Sequence, residues 1–158
     1  MPDVPEYFAQ RIAAITLNWS QADLSVTICL RILYAIDDQG AIQDLLEPLD
    51  LRKKLGLVEK LEKRGKIADE LSEICSALKY ANHHFRPNRN LVAHGVLTEP
   101  WEDEGREIFS YRSPSTLPAE ALERALEQSR YTATAANYML QYLATGSKPG
   151  KLPARPPK

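Results

Sequence analysis

Apolar residues recur at alternating steps of four and three along three stretches of this chain, and that spacing admits little besides helices packed on one another. In residues 6–37 the series is Phe8, Ile12, Ile15, Trp19, Ala22, Val26, Cys29, Leu33 and Ile36. In 67–85 it is Ile67, Leu71, Ile74, Leu78, Ala81 and Phe85. In 118–144 it is Leu122, Leu126, Ala133, Ala136, Leu140 and Leu143, with the small Ser129 keeping the step between Leu126 and Ala133. Each series holds one stripe on one helix face. The first helix carries further apolar residues outside its stripe, Leu17, Leu24, Ile28 and Leu30, so it is expected to touch more than one neighbour.

The segments between these helices are read from their breakers. Gly40 is expected to end the first helix. Residues 41–64 form a weaker helical region, with Pro48 between two short apolar stripes, removing a backbone donor and splitting the segment. Pro87 is expected to stop the third helix, because the residue before a proline is disfavoured in the α region. Asn88 then stands as the N-cap of a short helix over 89–94, which Gly95 closes. Val96-Leu97-Thr98 and Ile108-Phe109-Ser110-Tyr111 are β-prone runs around a polar link and suggest a small hairpin. Pro118 suits the first turn of the last helix and Gly146 its end. The sum is an all-α fold, an up-and-down four-helix bundle with a small β-hairpin inserted before the last helix. Residues 1–145 make one domain. Residues 146–158, GSKPGKLPARPPK, are expected to be a disordered, basic, proline-rich tail.

Composition narrows the class. The chain has 158 residues, 44% hydrophobic and 26% charged, with a formal net charge of -1. That is ordinary for a globular domain and excludes wholesale disorder. No uncharged apolar run approaches the roughly 20 residues that span a bilayer. The start, MPDVPEYF, has no basic region of a secretory signal. The expected location is the cytoplasm, with no membrane partner. Cys29 and Cys75 sit inside helical patterns and read as buried free thiols.

The charge is unevenly spread. From Ile74 to Thr98 there is no Asp or Glu, while Lys79, Arg86, Arg89 and all three histidines, His83, His84 and His94, fall inside that window. Such a patch draws in a polyanion even in a chain that is near neutral. Three histidines without a nearby carboxylate or a helical His-X3-His pair do not make a metal site, and no phosphate-cradling glycine loop is present, so no metal and no cofactor are expected.

Within the window lies Asn88-Arg89-Asn90-Leu91-Val92-Ala93-His94-Gly95. An Arg, a polar residue immediately after it and a His after four intervening residues resemble the Arg-X4–6-His motif of the HEPN superfamily (higher eukaryotes and prokaryotes nucleotide-binding). RNLVAHG followed by a β-prone run is similar to bacterial HEPN-like proteins. The likeness covers about residues 6–145 in architecture and eight residues in motif. It implies a homodimeric helical bundle that acts, in many members, as a metal-independent endoribonuclease. Arg89 and His94 then form the catalytic pair, and Asn90 helps to arrange the site. Arg86, Asn88, His84 and Lys79 are the candidate RNA-binding residues. The biological role that the likeness suggests is a toxin with a cognate antitoxin protein, or a phage-defence effector.

The residue types suit that chemistry. Cleavage of RNA without a metal needs a base for the ribose 2′ proton, an acid for the leaving 5′ oxygen and positive charge on the phosphorane. Histidine transfers protons near neutrality, and arginine grips phosphate oxygens in a planar fork. One His cannot readily be acid and base at once, so two-fold symmetry is chemically useful. Residues five apart on a helix lie about 140° apart around its axis. Arg89 and His94 therefore meet across subunits, or through an Arg89 that bends round from the helix entrance. The same residues admit plainer roles: His94 beside helix-end carbonyls, Arg89 in a surface ion pair. The competing functional class is a non-catalytic dimeric helical module that binds nucleotide, RNA or a partner protein.

Overall fold

Packing of the first and last long helices organises the fold. The computed structural model describes residues 6–94, 96–97, 107–109, 116–118, 121–147 and 150–158; of His94 and the strand residues it describes the backbone alone. Helix α1 (Glu6–Leu33) lies against α6 (Leu122–Thr145) along much of its length. Small residues let the two approach closely: Ala22, Ala135 and Ala136 are fully buried, as are Val26, Leu30 and Met139 on the same two helices. Polar rungs accompany the apolar seam, Asn18 donating to the Ser129 hydroxyl (3.0 Å) and the Ser25 hydroxyl to Asn137 Oδ1 (2.8 Å). At one end the Arg11 guanidinium pairs with Glu123 at 2.6 Å.

Those pairs run 11 to 123, 18 to 129 and 25 to 137, so both chains advance together and α1 and α6 are parallel. Strict up-and-down alternation makes the first and fourth helices antiparallel. The fold is predominantly helical, as the apolar periodicity requires, but not of that simple alternating order. The physical reason is the connection before α6. It is far longer than the short loops that tie antiparallel neighbours.

Between α1 and α6 come α2 (Gln39–Ala41), continued by a π-helical turn at Ile42–Leu46, then α3 (Leu51–Lys63), a 3₁₀ turn at Asp69–Leu71, α4 (Ser72–His84) and α5 (Arg86–His94). Helix α1 ends seven residues before Gly40. Ala35 turns the chain in the left-handed region, φ 51°, and Asp38 caps the next helix by accepting from the N–H groups of Gly40 and Ala41. Pro48 does separate two helical pieces, and Asp50 N-caps α3 by accepting from the Lys53 N–H at 2.8 Å.

Pro87 does not stop a helix. Phe85 is the break, and Pro87 sits in the first turn of α5, where an N–H would find no acceptor in any case. Asn88 is accordingly not an N-cap; its side chain donates to Gln128 Oε1 at 3.1 Å. In place of a two-stranded hairpin, three short segments pair: β1 (Val96–Leu97), β2 (Glu107–Phe109) and β3 (Thr116–Pro118). They form an antiparallel sheet in chain order, with Val96 opposite Phe109 and Ile108 opposite Leu117. Pro118 thus belongs to an edge strand, where a missing N–H is tolerated, rather than to the start of α6. The polar link between the two β-prone runs, residues 99–106, lies outside the described residues.

The segment expected to be a disordered tail also differs. Residues 150–158 lie back along α6: Gly150 approaches Tyr138, Leu152 packs on the core, and the Pro157 carbonyl accepts from Gln128 Nε2 at 2.7 Å. Composition hides this because one leucine and one carbonyl suffice as anchors, and neither makes a periodic pattern.

Candidate active site

The motif sits at a corner between α4 and α5. Phe85, fully buried, pins that corner: its ring meets Tyr80 edge-on at 5.5 Å and Tyr131 at 6.3 Å. Its N–H closes α4 on the Ala81 carbonyl, and its own carbonyl accepts from the Arg89 N–H at 3.1 Å, which starts α5. Leu91 and Val92 then turn inward to the core. Arg86 and Arg89, three apart and so on one side of the helix, face a cavity of about 340 Å³.

Three other segments complete its wall. Helix α1 supplies Trp19 and Asp23, the start of α3 supplies Asp50 and Arg52, and α4 supplies Asn82. Three arginines thus share the wall with two carboxylates. Asp23 is already matched by Lys54, whose ammonium lies 2.6 Å away and whose side chain is 1% exposed. Asp50 is spent on capping α3 and stands 3.9 Å from Arg86. Among the described residues, neither Arg52 nor Arg89 has a carboxylate within ion-pair distance. The cavity therefore has an excess of positive charge carried by planar, permanently ionised groups, which suits phosphate or carboxylate oxygens.

Arg89 itself is half-buried and donates from Nη1 to Asn90 Oδ1 at 2.9 Å. The polar residue after the arginine thus holds the guanidinium. His94 is the last residue of α5, and its side chain lies outside the described residues. The helix carries it about 7.5 Å further along the axis than Arg89 and about 140° around it. The two backbone positions diverge on their own helix.

The remaining candidates separate. Arg86 joins Arg89 at the cavity. Asn88 points to α6 instead, toward Gln128. Lys79 is held by Glu62 at 2.6 Å, and this hydrogen bond raises its pKa. It is a cation already neutralised. His84 stacks on Tyr80 with ring centroids 4.3 Å apart and on His83 at 4.6 Å. Desolvation, then the charges of Lys158, His83 and Arg155, hold its pKa below the usual 6.5. Burial pushes the Cys29 thiol up to about 12 and the Cys75 thiol to about 11, so neither is a nucleophile near neutrality. Among the described residues no group of three or more His, Cys, Asp or Glu side chains is arranged to hold a metal ion. Among them, too, no helix is long and apolar enough to cross a membrane.

Sequence spacing did not reveal Arg52, Asn82, Asp23 and Asp50 as cavity residues. They come from three separate elements, and no local pattern joins them to Arg89. Trp19 reads from sequence as a core residue; it is 6% exposed and walls the cavity as well. Comparison with protein-family models, with characterised proteins and with solved structures finds no match to this chain.

Proposed function

We propose that this protein is a metal-independent endoribonuclease of the HEPN type, working as a homodimer in the cytoplasm. The observation that carries the reading is the Arg89 guanidinium, fixed by Asn90 at 2.9 Å and opening onto a cavity with Arg52 and Arg86, on the helix that ends at His94. In this reading Arg89 binds the non-bridging oxygens of the scissile phosphate and gains strength as charge builds on the phosphorane. One His94 takes the proton from the ribose 2′ hydroxyl as its oxygen bonds to phosphorus. A second His94, protonated and supplied by the other copy, gives its proton to the 5′ oxygen as the P–O5′ bond breaks. The products are a 2′,3′-cyclic phosphate and a 5′-hydroxyl. By analogy alone, such an enzyme is a toxin restrained by an antitoxin protein, or a phage-defence effector.

The surface of α1 favours a second copy. Leu17 and Leu24 are 68% and 60% exposed, and they flank Ser20 on one face of the helix. Ser20 lines the cavity. In this reading a second protomer seated on those leucines completes the site from beside Ser20.

One observation favours a second reading, a binding module without catalysis. Asp23 and Asp50 share the cavity wall and oppose a phosphate that approaches deeply. A single assay separates the two. Mixed RNAs are incubated with purified protein in a chelator, and the ends of the products are identified. Wild type is expected to cleave. Arg89→Ala and His94→Ala are each expected to lose about 10² to 10⁴ in rate while keeping the wild-type melting temperature. RNA bound but left whole by wild type selects the binding module. Cleavage that survives both substitutions removes Arg89 and His94 from the chemistry.

A further inference from the structure

The last turn of α4 has two sides. Asn82 faces the cavity. Two residues on, His84 points the other way, about 200° around the helix. On that far side the chain assembles a stacked array from distant parts of the sequence. The Arg155 guanidinium lies over the Tyr80 ring at 4.0 Å, Tyr80 lies against His84 at 4.3 Å, and His84 meets His83 at 4.6 Å. Lys158 acts electrostatically on His84 from the same segment as Arg155.

Bringing cations together is unfavourable, and ordering a proline-rich segment costs conformational entropy. This segment is nonetheless fastened at two points: Leu152 packs on the core, and the Pro157 carbonyl accepts from the buried amide of Gln128. The Lys158 carbonyl also accepts from Arg124 at 3.5 Å. Arg155 and Lys158 are exposed and so remain available to a ligand. Among the described residues, the charged groups that bear on His84 are Lys158, His83 and Arg155, and no carboxylate is among them. Among the described residues, neither Arg155 nor Lys158 has a carboxylate within ion-pair distance.

We propose that Arg155 and Lys158, together with His83 and His84, form a second anion site that holds backbone phosphates of RNA on the side of α4 opposite the cavity. The ribonuclease reading supplies the identity of the polyanion; the site itself rests on the stacked array and its anchors. A helix with its side chains is about 10–12 Å across, so a strand of a few nucleotides can lie over the α4–α5 corner and touch both sites. The segment 150–158 then grips flanking RNA while Arg89 meets the phosphate to be cut.

The test measures binding of a fluorescein-labelled single-stranded RNA to the full chain carrying His94→Ala, by anisotropy over a range of salt. Arg155→Ala with Lys158→Ala is expected to weaken binding about tenfold or more. The slope of log affinity against log salt should become shallower by about 1.4, the loss of two phosphate contacts. His84→Gln is expected to weaken binding about threefold. Arg64→Ala with Lys66→Ala removes the same net charge at an exposed turn after α3 and should leave affinity within twofold. Equal affinity and slope in the Arg155/Lys158 variant overturns the proposal, as does an equal loss in the Arg64/Lys66 variant or no binding by the parent chain at low salt. If the Arg155/Lys158 variant loses affinity as stated while wild-type protein never cleaves RNA, the ribonuclease reading falls and the anion site stands.

Discussion

Lys54 is the most demanding residue in this fold. Its side chain is 1% exposed yet ends in an ammonium group, and its carboxylate partner, Asp23, lies 2.6 Å away with 39% of its own side chain exposed. A buried charge is tolerated when paired and is costly when orphaned. Asp23→Ala is therefore expected to destabilise the protein by about 2–3 kcal/mol, below the full value for a wholly buried pair because water reaches Asp23. Adding Lys54→Met to Asp23→Ala should recover most of that loss, since no charge then remains to be satisfied. Urea unfolding of the three proteins measures both effects. His84 offers a second residue-scale test. Its folded-state pKa lies below 6.5, so below that pH the unfolded chain binds more protons than the folded one. Stability contributed at higher pH is thus lost as pH falls from 6.5 through the depressed value. His84→Gln should flatten this part of the melting temperature profile.

At the scale of elements, legibility followed local chemistry. The long helices α1, α4 and α6 were visible because three or more turns of apolar spacing leave no competing pattern. Their ends were less so. Gly40 looks like a stop, yet Asp38 makes it the first turn of a new helix, and Ala35 takes the left-handed turn instead. Pro87 looks like a stop as well, but in a first turn its missing N–H costs nothing, and Asn88 is freed to bond with Gln128. The strand at Thr116–Pro118 leaves no sequence pattern, because three residues are too few for a period. Asp50 joins local structure to the site: it caps α3 and stands near Arg86. Asp50→Ala is expected to cost about 1 kcal/mol through the lost cap. It should also raise the affinity of the cavity for phosphate, by removing a carboxylate from its wall. Thermal melts with and without inorganic phosphate separate the two consequences.

At the scale of the molecule, the Arg-Asn…His motif was readable, but the cavity around it was not. Arg52, Asn82 and Trp19 reach Arg89 only because α3 and α5 fold against α1 and α4 packs on α3, a long-range outcome that no window of sequence contains. The assembly state belongs to the same scale. Leu17→Glu with Leu24→Glu should leave the fold intact, because both side chains are already in solvent. In the proposed dimer the double variant should sediment as a monomer and lose RNA cleavage in step with its dissociation. Analytical ultracentrifugation at matched concentrations gives the mass. A wild-type chain that sediments as a monomer removes the shared site.

The two sulfur atoms have a practical consequence. Cys29 belongs to α1 and Cys75 to α4, and neither shows more than 1% of its surface to water. A chromogenic thiol reagent can reach them only in the intervals when these two helices part. The colour it releases counts those intervals, and the chain thereby keeps its own clock of transient opening, with no dye to attach.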